Sequence, residues 1–141
     1  MGARHLGRER ALQALYQLEQ DSRLDAKAAL DAAWNASDED GPRDAQADVF
    51  ALELVAGVRD HLAEIDKLIE AHSTNWRIDR MHRIDRNVLR IGIFELKYRP
   101  DIPRKVTINE AVELGKTFGN EASSAFINGL LDRVAGVVEK A

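Results

Sequence analysis

The residues of this chain best suited to chemistry are cations, and the chemistry they suit is the holding of phosphate. Arg4 and Arg8 stand four residues apart, which places them on one side of a helix whose first turn overhangs any core. A guanidinium fork on an exposed helix end matches the oxygens of a phosphodiester. The same spacing also suits a solubilising helix start, so the two readings stand side by side. Residues 1–16 hold Arg4, Arg8 and Arg10 against Glu9, and residues 77–105 hold nine Lys/Arg against four acids. Net charge is nonetheless −4, a sum set by Asp38, Glu39, Asp40, Asp44 and Asp48 against Arg43 in residues 37–48. Two basic zones therefore survive within an acidic protein, and the distribution matters more than the sum.

Three aromatic residues accompany these cations. Tyr16, at the border of an apolar helical face, can stack on a base, fill a partner's pocket or roof a core. Phe118 and Phe126 flank the turn between the last two helices. They suit a core, and beside a basic surface they also suit stacking with single-stranded RNA.

Other chemistries lack their residues. Gly115-Lys116-Thr117 resembles the end of a phosphate-binding loop, but that motif needs a glycine where Glu110 stands and a preceding strand. The chain has no cysteine, which removes thiol catalysis, cysteine-ligated zinc and disulfides. His5, His61, His72 and His82 form no metal-ligand pair at helical spacing, and Gly-x-Ser-x-Gly is absent. Glu64 and Asp66 read as solvated helix charges, and Asp38-Glu39-Asp40-Gly41 lacks the alternating ligands of a calcium loop. No enzyme activity, metal or cofactor is expected.

The elements that must position these residues are helices. The chain has 141 residues, 45% of them hydrophobic and 31% charged, enough for one self-sufficient core. The expectation is a single all-α domain over 1–141. Neither a signal peptide nor a membrane span is expected, and the cytoplasm is the default location. Periodicity predicts an amphipathic helix over about 4–20 and a second over about 25–36, anchored by Leu30 and Trp34. An acidic surface loop should occupy residues 37–43. One long helix should then run over about 44–72, on a stripe of Leu54, Val58, Leu62, Ile65 and Ile69 that Trp76 closes. From Ile84 to Tyr98 apolar residues cover nearly the whole circumference, leaving Arg83, Arg86, Arg90 and Lys97 as a narrow polar stripe, the mark of a central helix. Thr107-Ile108-Asn109-Glu110 reads as a capping box with Val106 and Ala111 as its staple, opening a helix that ends near Gly119. Ser123 or Ser124 should cap a final helix.

Several segments together resemble the NusB family of bacterial transcription antitermination factors. They are Arg8 to Tyr16, Leu54 to Val58, Asp85 to Arg90, Phe94 to Leu96, Asp101 to Pro103, Val106 to Leu114 and Phe126 to Asp132. Their order and spacing cover the chain apart from about residues 21–48. The resemblance implies about seven helices in two small subdomains. It further implies binding of the boxA element of ribosomal RNA transcripts together with NusE, a small-subunit ribosomal protein. Other Nus factors and RNA polymerase would complete a read-through complex. Carried over by position, Arg4, His5, Arg8, Arg10, Phe118 and Phe126 would face RNA, and Tyr16 and Asp85 would meet the protein partner.

The sequence departs from the family at Arg4-His5-Leu6-Gly7-Arg8, where relatives often carry a denser arginine run, and at Ala122, where some carry an aspartate. A thinner cationic arm implies weaker RNA binding with a flatter salt dependence. Two rival functions remain open at this level. One is a homodimeric protein-interaction bundle without RNA. The other is a module acting in trans on ribosomal RNA modification, since this chain carries no cofactor-binding domain of its own.

Overall fold

The computed structural model describes residues 2–37, 43–73 and 77–138. Among them lie seven α-helices and no strand, so the all-α expectation holds. The chain divides into two compact units, Met1–Arg59 and Asp60–Ala141.

The first unit contains α1 (Ala3–Gln20), α2 (Ala26–Ala36) and most of α3 (Ala45–Asp60). Ala11, Leu12, Ala14 and Leu15 are buried along α1, as their spacing requires. Asp25 caps α2 by accepting the Ala28 backbone N–H at 2.7 Å, and Asp44 accepts the Ala47 N–H at 2.9 Å before α3. Leu30 and Trp34 are both buried and anchor α2. At Gly7 α1 comes so close to α3 that a β-carbon would lie 2.9 Å from the Ala47 carbonyl oxygen and 3.0 Å from the Phe50 ring. Only a residue without a side chain fits that approach.

The second unit contains α4 (Leu62–His72), a 3-10 turn (Ile78–Arg80), α5 (Arg83–Tyr98), α6 (Arg104–Phe118) and α7 (Ser123–Ala135). Helix α5 is the central element that its composition predicts. Val88, Leu89, Ile93 and Leu96 are fully buried, and α4, α6 and α7 all pack on it. Its polar stripe is tied down by its neighbours. Arg90 donates to both carboxylate oxygens of Asp66 on α4 at 2.8 and 3.0 Å, and Lys97 pairs with Glu64 at 2.7 Å.

Three local expectations are corrected. The long helix over 44–72 is two helices broken at His61, whose backbone (φ −117°, ψ 21°) leaves the helical region. Its ring stacks on Tyr98 with centroids 4.1 Å apart, a contact a hydrophobic stripe does not encode, and Leu62 is exposed. The capping box is not used, because α6 begins at Arg104 after Pro103. Proline at the N-cap already fixes the entry. Thr107, now a turn inside the helix, is buried and donates its hydroxyl to the equally buried Glu95 carboxylate at 3.0 Å. At α7 the capping acceptor is Asn120, whose Oδ1 takes the Ala122 N–H at 2.9 Å, while the Ser123 hydroxyl accepts from the Asn120 N–H at 3.0 Å. Trp76 and residues 38–42 of the acidic loop lie outside the described residues.

Candidate nucleic-acid and partner interface

Each unit carries its own share of the residues expected to bind. In the first unit, Arg4 is exposed on the first turn of α1 with its guanidinium 5.7 Å from the centroid of the Phe50 ring. His5, half-buried, lies 3.4 Å from Glu9 one turn on. The pair sets an acid beside the basic surface. Tyr16 is exposed at 36%, so its ring is available to a partner.

Arg8 and Arg10 depart from the expected exposed arm. Arg8 is 2% exposed, its guanidinium 5.3 Å from the Phe50 centroid. Arg10 is 3% exposed, lies 4.9 Å from the Trp34 ring and donates to Gln13 at 3.1 Å. Buried guanidinium groups over aromatic faces are attracted by the ring quadrupole, and here they fasten α1 to α3 and to α2. The exposed cationic arm expected from sequence is therefore reduced to Arg4, with His5 beside it.

In the second unit Phe118 is half-buried at the end of α6 and Phe126 is half-buried in the first turn of α7. Phe126 lines a cavity of about 340 Å³ together with Arg80, Met81, His82, Asp85, Asn120 and Ala122. Asp85 is 9% exposed, and its Oδ1 has no hydrogen-bond partner among the described residues. It sits in the first turn of α5, where the positive end of the helix dipole favours a carboxylate. A desolvated carboxylate oxygen without a donor seeks a cation or an N–H from another molecule. Beside it the His82 Nδ1 accepts the Ile84 N–H at 3.3 Å and caps α5, which leaves the proton on Nε2 in the neutral ring.

Several other arginines of the second basic zone are engaged within the fold. Arg86 donates to the Met81 carbonyl at 3.0 Å, Arg99 to Asp101 at 2.9 Å and Arg104 to the Val138 carbonyl at 2.7 Å. The Lys97 ammonium and the Tyr98 hydroxyl both donate to Glu64 and hold its carboxyl below the usual glutamate range. Arg80 and His82 also line the cavity beside Phe126, and no signal in the sequence singles them out. Among the described residues no cluster of His, Cys, Asp and Glu is arranged to hold a metal ion. No described helix is long and apolar enough to cross a membrane.

Comparison with known proteins brings these features under one heading. The NusB family model matches residues 5–136. The transcription antitermination protein NusB of Myxococcus xanthus (strain DK1622) is 70% identical over 140 residues, covering 99% of both chains. That of Sorangium cellulosum (strain So ce56) is 47% identical over 135 residues, covering 96% of this chain and 93% of its own. Among solved structures, T. maritima NusB superposes with a TM-score of 0.85 at 35% identity over 98% of this chain and 93% of that one. A NusB crystallised with the antitermination factor NusE and double-stranded RNA superposes with a TM-score of 0.78 at 25% identity, over 95% and 96% of the two chains. With seven helices among the described residues and a family match running from the first of them to the last, the chain belongs to the NusB family.

Proposed function

We propose that this chain is a transcription antitermination factor that binds boxA RNA of ribosomal RNA transcripts together with NusE and promotes read-through by RNA polymerase. The observation that carries the reading is full-length similarity to NusB proteins, one of which was solved with both NusE and RNA. The chemistry of the two units supports it. Arg4 offers a cationic contact and His5 an imidazole N–H to phosphate, with Arg8 behind them, and Phe118 and Phe126 offer partly exposed rings to bases. Tyr16 and the unpaired carboxylate oxygen of Asp85 suit the protein partner, the second by accepting from a cationic side chain. Buried Arg10 serves the RNA surface only by holding α1 in place. The reading assigns no catalytic step and no cofactor to the chain. The other Nus factors and RNA polymerase belong to the larger complex, and the cytoplasm is its place.

The chain gains affinity by pooling its surface with that of NusE. Fluorescence anisotropy of a labelled boxA RNA, titrated with and without NusE and set against a scrambled RNA, tests this. Sequence-selective binding strengthened by NusE is the expected result. Equal binding to both RNAs with NusE present would overturn the reading. Arg4→Ala should weaken boxA binding about tenfold, the scale of one charge-assisted hydrogen bond, with an unchanged melting temperature. Asp85→Lys should weaken the NusE complex first.

A further inference from the structure

The cavity beside Phe126 is lined by two basic side chains with donors that make no bond among the described residues. Its wall carries Arg80, at the end of the 3-10 turn, and His82, at the N-cap of α5. Of the arginines in the basic zone, Arg86, Arg90, Arg99 and Arg104 all donate to protein oxygens, and Arg77 lies 3.6 Å from Asp79. Arg80 is exposed, and its guanidinium makes no hydrogen bond or ion pair among the described residues. His82 is exposed, with its Nδ1 committed to the Ile84 N–H and its Nε2 free to donate. A guanidinium and an imidazole N–H that line the same cavity as an aromatic ring match one nucleotide. The phosphate takes the two donors and the base lies on the ring. The buried Asp85 carboxylate in the same cavity acts against this, since its negative charge repels an incoming phosphate.

We infer that Arg80 and His82 form a phosphate-binding subsite for one RNA nucleotide whose base lies against Phe126, and that the Asp85 carboxylate holds the subsite weak until a cation of the protein partner neutralises it. The inference rests on the RNA-and-NusE reading and adds to it two contact residues and a physical origin for partner-enhanced RNA binding. Neutralising Asp85 gives the RNA a more favourable cavity, and by linkage occupied RNA strengthens the partner's hold by the same factor.

The test is anisotropy of labelled boxA RNA across a salt series, for wild type, Arg80→Gln, His82→Gln, Asp85→Asn and Arg4→Ala, each with and without NusE, with circular dichroism melts as control. Arg80→Gln should bind RNA about tenfold more weakly, with a salt slope smaller by about 0.7 for the lost phosphate contact, while its melting temperature and its affinity for NusE stay unchanged. His82→Gln should show a smaller loss of RNA affinity. Asp85→Asn should bind RNA more tightly than wild type without NusE and gain less when NusE is added. Wild-type RNA affinity and salt slope in Arg80→Gln, with Arg4→Ala weakened, would overturn the subsite and leave the reading standing. Asp85→Asn no tighter than wild type in the absence of NusE would overturn the electrostatic coupling. Failure of wild type itself to select boxA with NusE would remove the reading and this inference with it.

Discussion

Two arginines of the first unit are treated unlike the cations of the second. In the first, Arg8 and Arg10 are withdrawn from solvent and laid over Phe50 and Trp34, where flat, weakly hydrated guanidinium groups serve as packing material. In the second, the basic residues stay nearer the surface and are neutralised by acids and carbonyl oxygens, as Arg90 is by Asp66 and Lys97 by Glu64. A count of Lys and Arg overstates the binding surface in both, for different reasons. Arg4 in one unit and Arg80 in the other are both exposed and stand as candidates for a phosphate.

Substitutions that separate packing cations from paired ones sharpen this contrast. The largest effect is expected at Arg10. Arg10→Ala removes a buried cation from the Trp34 face together with the packing of its stem, at a cost of about 2–3 kcal/mol. Thermal denaturation should show this loss, while the folded protein keeps its RNA affinity within about twofold. An unchanged melting temperature would break the distinction between the units. Next comes Asp66→Ala, which strips a bidentate acceptor from a guanidinium whose side chain is 12% exposed. A loss of about 1–2 kcal/mol is expected, moderated because Asn87 still accepts from Arg90 at 2.9 Å. A urea titration with unchanged slope would register it.

The smallest effect lies at Glu64, whose carboxyl is held low chiefly by Lys97 and secondarily by Tyr98. A carboxylate more acidic in the folded state than in the unfolded one adds stability above the usual glutamate range. That stability is lost as pH falls through the lower folded value. Because 40% of the side chain is exposed to solvent, screening reduces the contribution to roughly 0.5 kcal/mol or less. Glu64→Gln should flatten the acid limb of the stability profile between about pH 5 and 3. An acid limb identical to wild type would show that the ion pair contributes nothing.

Helices with a strong apolar period were legible from sequence to within a few residues, α5 above all, because burial on nearly every side leaves a pattern no loop produces. Local signals misled where a distant residue outbid them. Thr107 has the form of a cap, but Glu95, twelve residues earlier, claims its hydroxyl inside the core. The stripe through Leu62 runs unbroken in sequence, yet His61 turns its ring onto Tyr98 and ends the helix. The candidate site was legible in kind but not in exposure. Nothing near Arg8 or Arg10 announces the rings of Phe50 and Trp34, which come from other helices. Tyr16 and Phe126 stood out by residue type and position, Asp85 was reached through family resemblance, and Arg80 only once its neighbours' bonds were known.

Trp34 is held between two guanidinium groups, Arg10 at 4.9 Å and Arg43 at 5.4 Å, and its indole N–H donates to Asp48 at 2.9 Å. The chain has two tryptophans, and this one belongs entirely to the first unit. Its emission spectrum is thus an optical signature of that unit alone, sensitive to the loss of either cation. In a Trp76→Phe background the unfolding of the first unit becomes visible by light, separately from that of the second.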